Sequence, residues 1–155
     1  MKGNEKVINA LNDLLTGELT SADLYLLHSR MYDDMGYTKL FERISHEMTD
    51  EIDHSSQLIN RVLFLEGTPI VGPRDKFELK TDVKSMMEQS LEAEYVVAND
   101  LKKVIKLCEA ESDYVSREML QVLLSDTEND HIFWLETQLK LINSIGLENY
   151  LQSVA

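Results

Sequence analysis

The chain has little of several things, and each shortage excludes something. Among 155 residues there is one cysteine, Cys108. That excludes a disulfide framework, and any zinc or iron–sulfur site built on cysteines of this chain. Proline occurs only as Pro69 and Pro73, both in the stretch Glu66 to Thr81, which also holds Gly67 and Gly72. No run approaches the roughly 20 apolar residues of a membrane-spanning helix. The opening MKGNEKVINALNDLL lacks the continuous apolar segment of a secretory signal. Basic residues are scarce as well: 15 Lys and Arg stand against 28 Asp and Glu, a net charge of −13. A chain this acidic repels nucleic acid and anionic membrane and attracts cations. Hydrophobic residues, at 43%, are too many for a disordered acidic tail. The expectation is a soluble, cytoplasmic protein forming a single domain over 1–155, long enough to bury a core without staples.

Outside the Pro/Gly stretch, apolar residues recur at spacings of three and four, with no period-two alternation. The spacing predicts a first helix over about Glu5–Asp34, stopped near Gly36, and a second over about Thr38–Leu65. A third is expected over about Asp82–Ala110. Ser112 or Asp113 caps a fourth that ends near Ser144, with Gly146 as its stop, and GLENYLQSVA leaves room for a short fifth. Four long helices imply an all-α four-helix bundle. The second and third are joined by a connection long enough to cross its length.

The inward stripe of each helix carries the chemistry. The first reads Leu11, Leu15, Glu18, Ala22, Tyr25; the second Leu40, Ile44, Glu47, Glu51, His54, Leu58. The third reads Val83, Met87, Ser90, Glu94, Val97, Leu101, and the fourth Leu124, Glu128, His131, Leu135, Ile142. Each is apolar at both ends, with acids, imidazoles or small polar groups in the middle. No Lys or Arg lies on these stripes, and an unpaired buried carboxylate costs several kcal/mol or takes up a proton. A bound cation would compensate the acids. Two divalent ions would cancel the four charges of Glu18, Glu51, Glu94 and Glu128.

Spacing supports a metal. Glu51-x-x-His54 and Glu128-x-x-His131 each set two ligands on one helical face. Each is preceded, at nearly equal distance, by a lone glutamate on the previous helix: Glu18 for the first, Glu94 for the second. One such motif arises easily by chance in an acidic helix; two, each with its partner, form an internal repeat. Mixed carboxylate and imidazole ligands suit iron or manganese. The same pattern is known from ferritin-like di-iron bundles.

At these residues the sequence resembles the bacterioferritins and closely related bacterial ferritins over nearly its whole length. The resemblance is carried by MKG with KVIN and LN-x-LL, by GEL around Glu18, and by LLHSRM after Tyr25. HEMTDEIDH, RVLFLEGTP, SLEAE, DYVSREML, DTENDHIFWLE and GLENYLQS continue it. It implies an iron-storing shell of about 24 subunits, in which each chain is a ferroxidase that oxidises Fe(II) with O2 or H2O2. It also implies that Glu18 and His54 bind one iron, Glu94 and His131 the other, and that Glu51 and Glu128 bridge them. Tyr25 would stand beside the centre as a hydrogen-bond or one-electron donor. His46 and Asp50 would form an additional iron position.

One departure stands out: Ile52 occupies the position where bacterioferritins carry a haem-ligating methionine, and Met35 replaces a tryptophan usual nearby. A homo-oligomer of this chain is therefore expected to bind no haem, although a mixed shell with a haem-binding bacterioferritin subunit would. A ferredoxin-type reductant docking near haem is doubtful for the same reason. Two other readings stay open: a di-iron oxidase or peroxidase that forms no shell, and an iron-buffering subunit of a mixed shell.

Overall fold

The computed structural model describes residues 1–155. The chain is entirely helical: α1 (Glu5–Asp34), α2 (Thr38–Phe64), α3 (Val83–Ala110), α4 (Tyr114–Asp126), a π-helical turn (Thr127–Ile132), α5 (Phe133–Ile145) and α6 (Leu147–Val154). No helix is long and apolar enough to cross a membrane. The first three helices agree with the sequence expectation to within a residue, because their boundaries are set by local chemistry. Asn4 caps α1, its side-chain oxygen accepting from the Lys6 and Val7 amides. Asp82 caps α3 through the Ser85 amide at 3.0 Å, and Asp113 caps α4 through the Ser116 amide at 3.0 Å. Gly146, at φ +83°, ends α5 in a conformation that L side chains rarely adopt.

The pairs α1/α2 and α3/α4 are joined by short turns. The link between the pairs travels the length of the bundle along α1. The Asn12 side chain donates to the Thr68 carbonyl at 3.1 Å and accepts from the Ile70 amide at 2.9 Å. Further on, Thr20 Oγ1 accepts from the Asp75 amide, and Arg74 pairs with Asp23. The link ends at α3, where the Gln89 side chain donates to the Glu78 carbonyl and accepts from the Lys80 amide. Gly67 lets it start: a Cβ there would lie 2.7 Å from the Ile8 side chain.

The fourth rod of the bundle departs from the expected single α-helix. The stripe reads Leu120, Leu123, Thr127, His131, Leu135, with Leu124 only partly buried and Glu128 exposed. The π turn accommodates one extra residue, so everything before it is rotated by one position relative to everything after it. A uniform 3.6-residue period cannot show that shift.

Buried apolar side chains fall into two separate clusters. One gathers Leu11, Leu15, Leu58, Val62, Leu101 and Leu120. The other gathers Tyr25, Leu40, Ile44, Met87, Leu135 and, from α6, Tyr150. Between them lies a buried polar layer. Asn12→Ala, which removes both of that side chain's hydrogen bonds to the crossover while leaving the helices intact, is expected to cost about 1–3 kcal/mol. The measurement is a guanidinium unfolding midpoint with limited trypsinolysis, where faster cleavage at Arg74, Lys76 and Lys80 marks the loosened link.

Candidate metal centre

The layer is built from the mid-helix positions of the four rods. Glu18 comes from α1; Glu47, Glu51 and His54 from α2; Glu94 from α3; and His131 from the π turn. All six are at most 2% exposed. Two groups of ligand atoms come within 4.8 Å of one another: Glu18, Glu51 and His54, and Glu51, Glu94 and His131. They share Glu51. His54 Nδ1 stands 3.6 Å from Glu18 Oε2, and His131 Nδ1 is 3.0 Å from both Glu51 Oε1 and Glu94 Oε1. The two imidazoles stack with centroids 6.1 Å apart. Both carboxylate oxygens of Glu18 and Glu51, one of Glu94, and Nδ1 of His54 are buried with no hydrogen-bond partner. Orphaned buried acceptors converging on one volume are the signature of a cation site.

Five of the six ligands expected from the sequence are thus brought together. The sixth, Glu128, is not. The π turn puts Thr127 in the inward position, and Glu128 points out to pair with Lys102 at 3.0 Å. Glu47 takes part instead, its Oε2 lying 2.6 Å from His131 Nε2. The signal for it was present, since Glu47 lies on the α2 stripe one turn before Glu51. A cation also reaches the layer from the side: Arg43, one turn before Glu47, places Nε 2.5 Å from Glu47 Oε1 and pairs with Asp130 at 2.6 Å. Tyr25 donates its hydroxyl to Glu94 Oε1. His46 is exposed, 3.5 Å from Asp50, and Asp50 in turn lies 3.2 Å from His131 Nε2. Glu47, Asp50, Asp130 and His131 make a third group with metal-ligand spacing at the rim. Asp126, which the sequence reading passed over, meets His54 Nε2 at 3.2 Å and fixes that ring.

The charges of the layer lean on one another. Burial disfavours the imidazolium of His131, yet Glu47, Glu51 and Glu94 around it outweigh burial and raise its pKa. His54 behaves likewise: burial lowers its pKa, and Glu18 and Asp126 more than restore it. Burial, then the charges of Glu18 and Glu94, push Glu51 well above the usual carboxylate range. Glu18 is held below that range: burial opposes ionisation, and Glu51 and the two histidines overcome it. Burial and the neighbouring Glu94 and Glu51 raise the Tyr25 phenol, so it keeps its proton.

The surroundings thus favour protons on His54, His131 and Glu51. A divalent ion must displace them. Because these pKa values are raised, protons compete with a metal ion for these groups, and metal affinity should increase with pH. Titrating the protein with Co(II) in weak buffer is expected to release protons, with affinity falling at least about tenfold from pH about 8 to about 6. A pH electrode and the cobalt visible bands read both.

Against this geometry, comparison with known proteins is direct. Residues 8–145 match the ferritin-like domain family. The chain is 52% identical over 153 residues to the bacterial ferritin of Pseudomonas aeruginosa, and 50% identical over 153 residues to that of Neisseria meningitidis, covering 99% of both chains in each case. It is 40% identical to the bacterioferritin of Brucella melitensis over 150 residues, 97% of this chain and 92% of that one. A four-helix bundle with a crossover along its length, a short terminal helix and a buried glutamate–histidine layer places the chain in the bacterial ferritin and bacterioferritin family.

Proposed function

We propose that the chain is an iron-storage ferritin subunit with ferroxidase activity, acting over residues 1–155 as one di-iron domain. The single observation that carries this is the pair of buried ligand triads sharing Glu51, with orphaned carboxylate oxygens aimed between them. Fe(II) is the substrate. Glu18 and His54 would hold one ion, Glu94 and His131 the other, and Glu51 would lie between them, with Glu128 as a further bridge once turned inward. Each ion gives up one electron. Two electrons and two protons convert O2 to H2O2, or H2O2 to two waters.

The chain's own groups prepare this step. Tyr25 fixes one oxygen of Glu94 and leaves the other free. It is also the nearest phenol from which a further electron could be drawn. Asp126 orients His54, and Arg43 steadies Glu47 beside His131. Asp50, in a group with Glu47, Asp130 and His131 and 3.5 Å from the exposed His46, would offer an outlet toward which iron could move from His131. The net charge of −13 draws in cations. Ferrous substrate and its reductants fit a cytoplasmic setting.

Assembly into a 24-subunit shell goes with this reading. Apolar side chains are left exposed along α1 and α2, among them Leu26, Leu27, Ile52, Leu63 and Phe64, as expected where copies of a chain pack together. Glu18→Ala is expected to slow stopped-flow Fe(II) oxidation by more than about tenfold while light scattering still reports a particle of several hundred kilodaltons. Wild-type rates in the variant would refute the centre. A small oligomer with an intact oxidation rate would favour the di-iron oxidase or peroxidase instead.

Haem does not fit this chain. Ile52 is 48% exposed on α2 and offers only hydrocarbon where an axial sulfur would be needed. The protein expressed alone is expected to show no Soret band, whereas a shell mixed with a methionine-bearing subunit would.

A further inference from the structure

Glu128 stands between a cation outside the bundle and a cluster of metal-ligand groups inside it. Outside, its carboxylate lies 3.0 Å from Lys102 Nζ, in a recess between α3 and the π turn bordered by Tyr95, Asn99 and Asn129. Inside, one turn along its own helix, His131 belongs to the group of Glu51, Glu94 and His131. Thr127 holds the adjoining inward position, its hydroxyl donating to the Leu123 carbonyl at 3.0 Å. The π turn that creates this arrangement is a single-turn departure from the α-helix, of the kind frequent at functional sites.

We propose that Lys102 is a latch that keeps Glu128 outside the ligand cluster, and that a divalent ion arriving at Glu51, Glu94 and His131 competes for the same carboxylate and draws it inward. The inference rests on the metal-centre reading above. One carboxylate cannot serve both partners, so Lys102 acts as a positioning residue that sets how tightly the second ion is held. The lysine side chain is 52% exposed and the glutamate 43%. A pair so exposed is weak, which suits a latch that the doubly charged ion must open at the buried site.

The test is a Co(II) titration of the full-length assembled protein, followed by visible absorption with no turnover. Wild type is expected to take two ions per chain, the second more weakly. Lys102→Gln should tighten the second ion about two- to fivefold, the worth of an exposed ion pair. Lys102→Arg, which keeps the pair, should match wild type. Glu128→Gln should weaken the second ion, and adding Lys102→Gln to it should bring no further gain. An unchanged second affinity in Lys102→Gln would overturn the latch. So would a gain that persists in the Glu128→Gln background, since that would be a general effect of charge. Failure of the wild type to bind cobalt at all would instead remove the metal centre and the latch together.

Discussion

Everything in this molecule is arranged around the burial of Glu18, Glu47, Glu51 and Glu94 in one layer, with only one fixed cation, Arg43, at its edge. Carboxylates in a low-dielectric interior are unfavourable unless positive charge meets them. The two imidazoles among them are biased toward their protonated, charged form. The orphaned oxygens that remain show where the rest must come from. Replacing buried ionic groups by apolar ones of the same volume is often neutral or stabilising, so the polar layer is a cost that a bound cation would offset.

The two apolar clusters make that cost bearable. They lie on either side of the layer, and each is packed from several helices. The candidate ligands are therefore held mid-helix between two braces, not at loop tips. Tyr150 of the last helix sits in the second brace with its hydroxyl on Gln138. The crossover, pinned at Asn12, Thr20 and Gln89, ties the first helix pair to the second along its length.

Legibility from sequence followed the range of the forces involved. The caps at Asn4 and Asp82 and the glycine stop at Gly36 are local, so both ends of α1 and the start of α3 could be read to within a residue. Burial of Glu18, Glu51, His54 and Glu94 followed from a 3.6-residue period because they lie in unbroken helix, and His131, late in the π turn, keeps the register of Leu135 in α5. Leu124 and Glu128 lie before the register shift or within it, and both leave the inward stripe by one position, to Leu123 and Thr127. Glu47 was on the expected stripe. Its contact with His131 depends on how two distant helices meet, which no spacing within one helix reveals.

By itself, the sequence determined the element order, the long crossover, the depth at which polar groups interrupt each stripe, and an acidic balance suited to cations. Periodicity and local hydrogen bonding are enough for these. Tertiary structure alone decided which carboxylates share the buried volume and that Arg43 reaches Glu47. It also decided that the π turn hands Glu128 to Lys102. Those outcomes depend on angles and distances between helices, where a shift of one residue moves a side chain from the core to the surface.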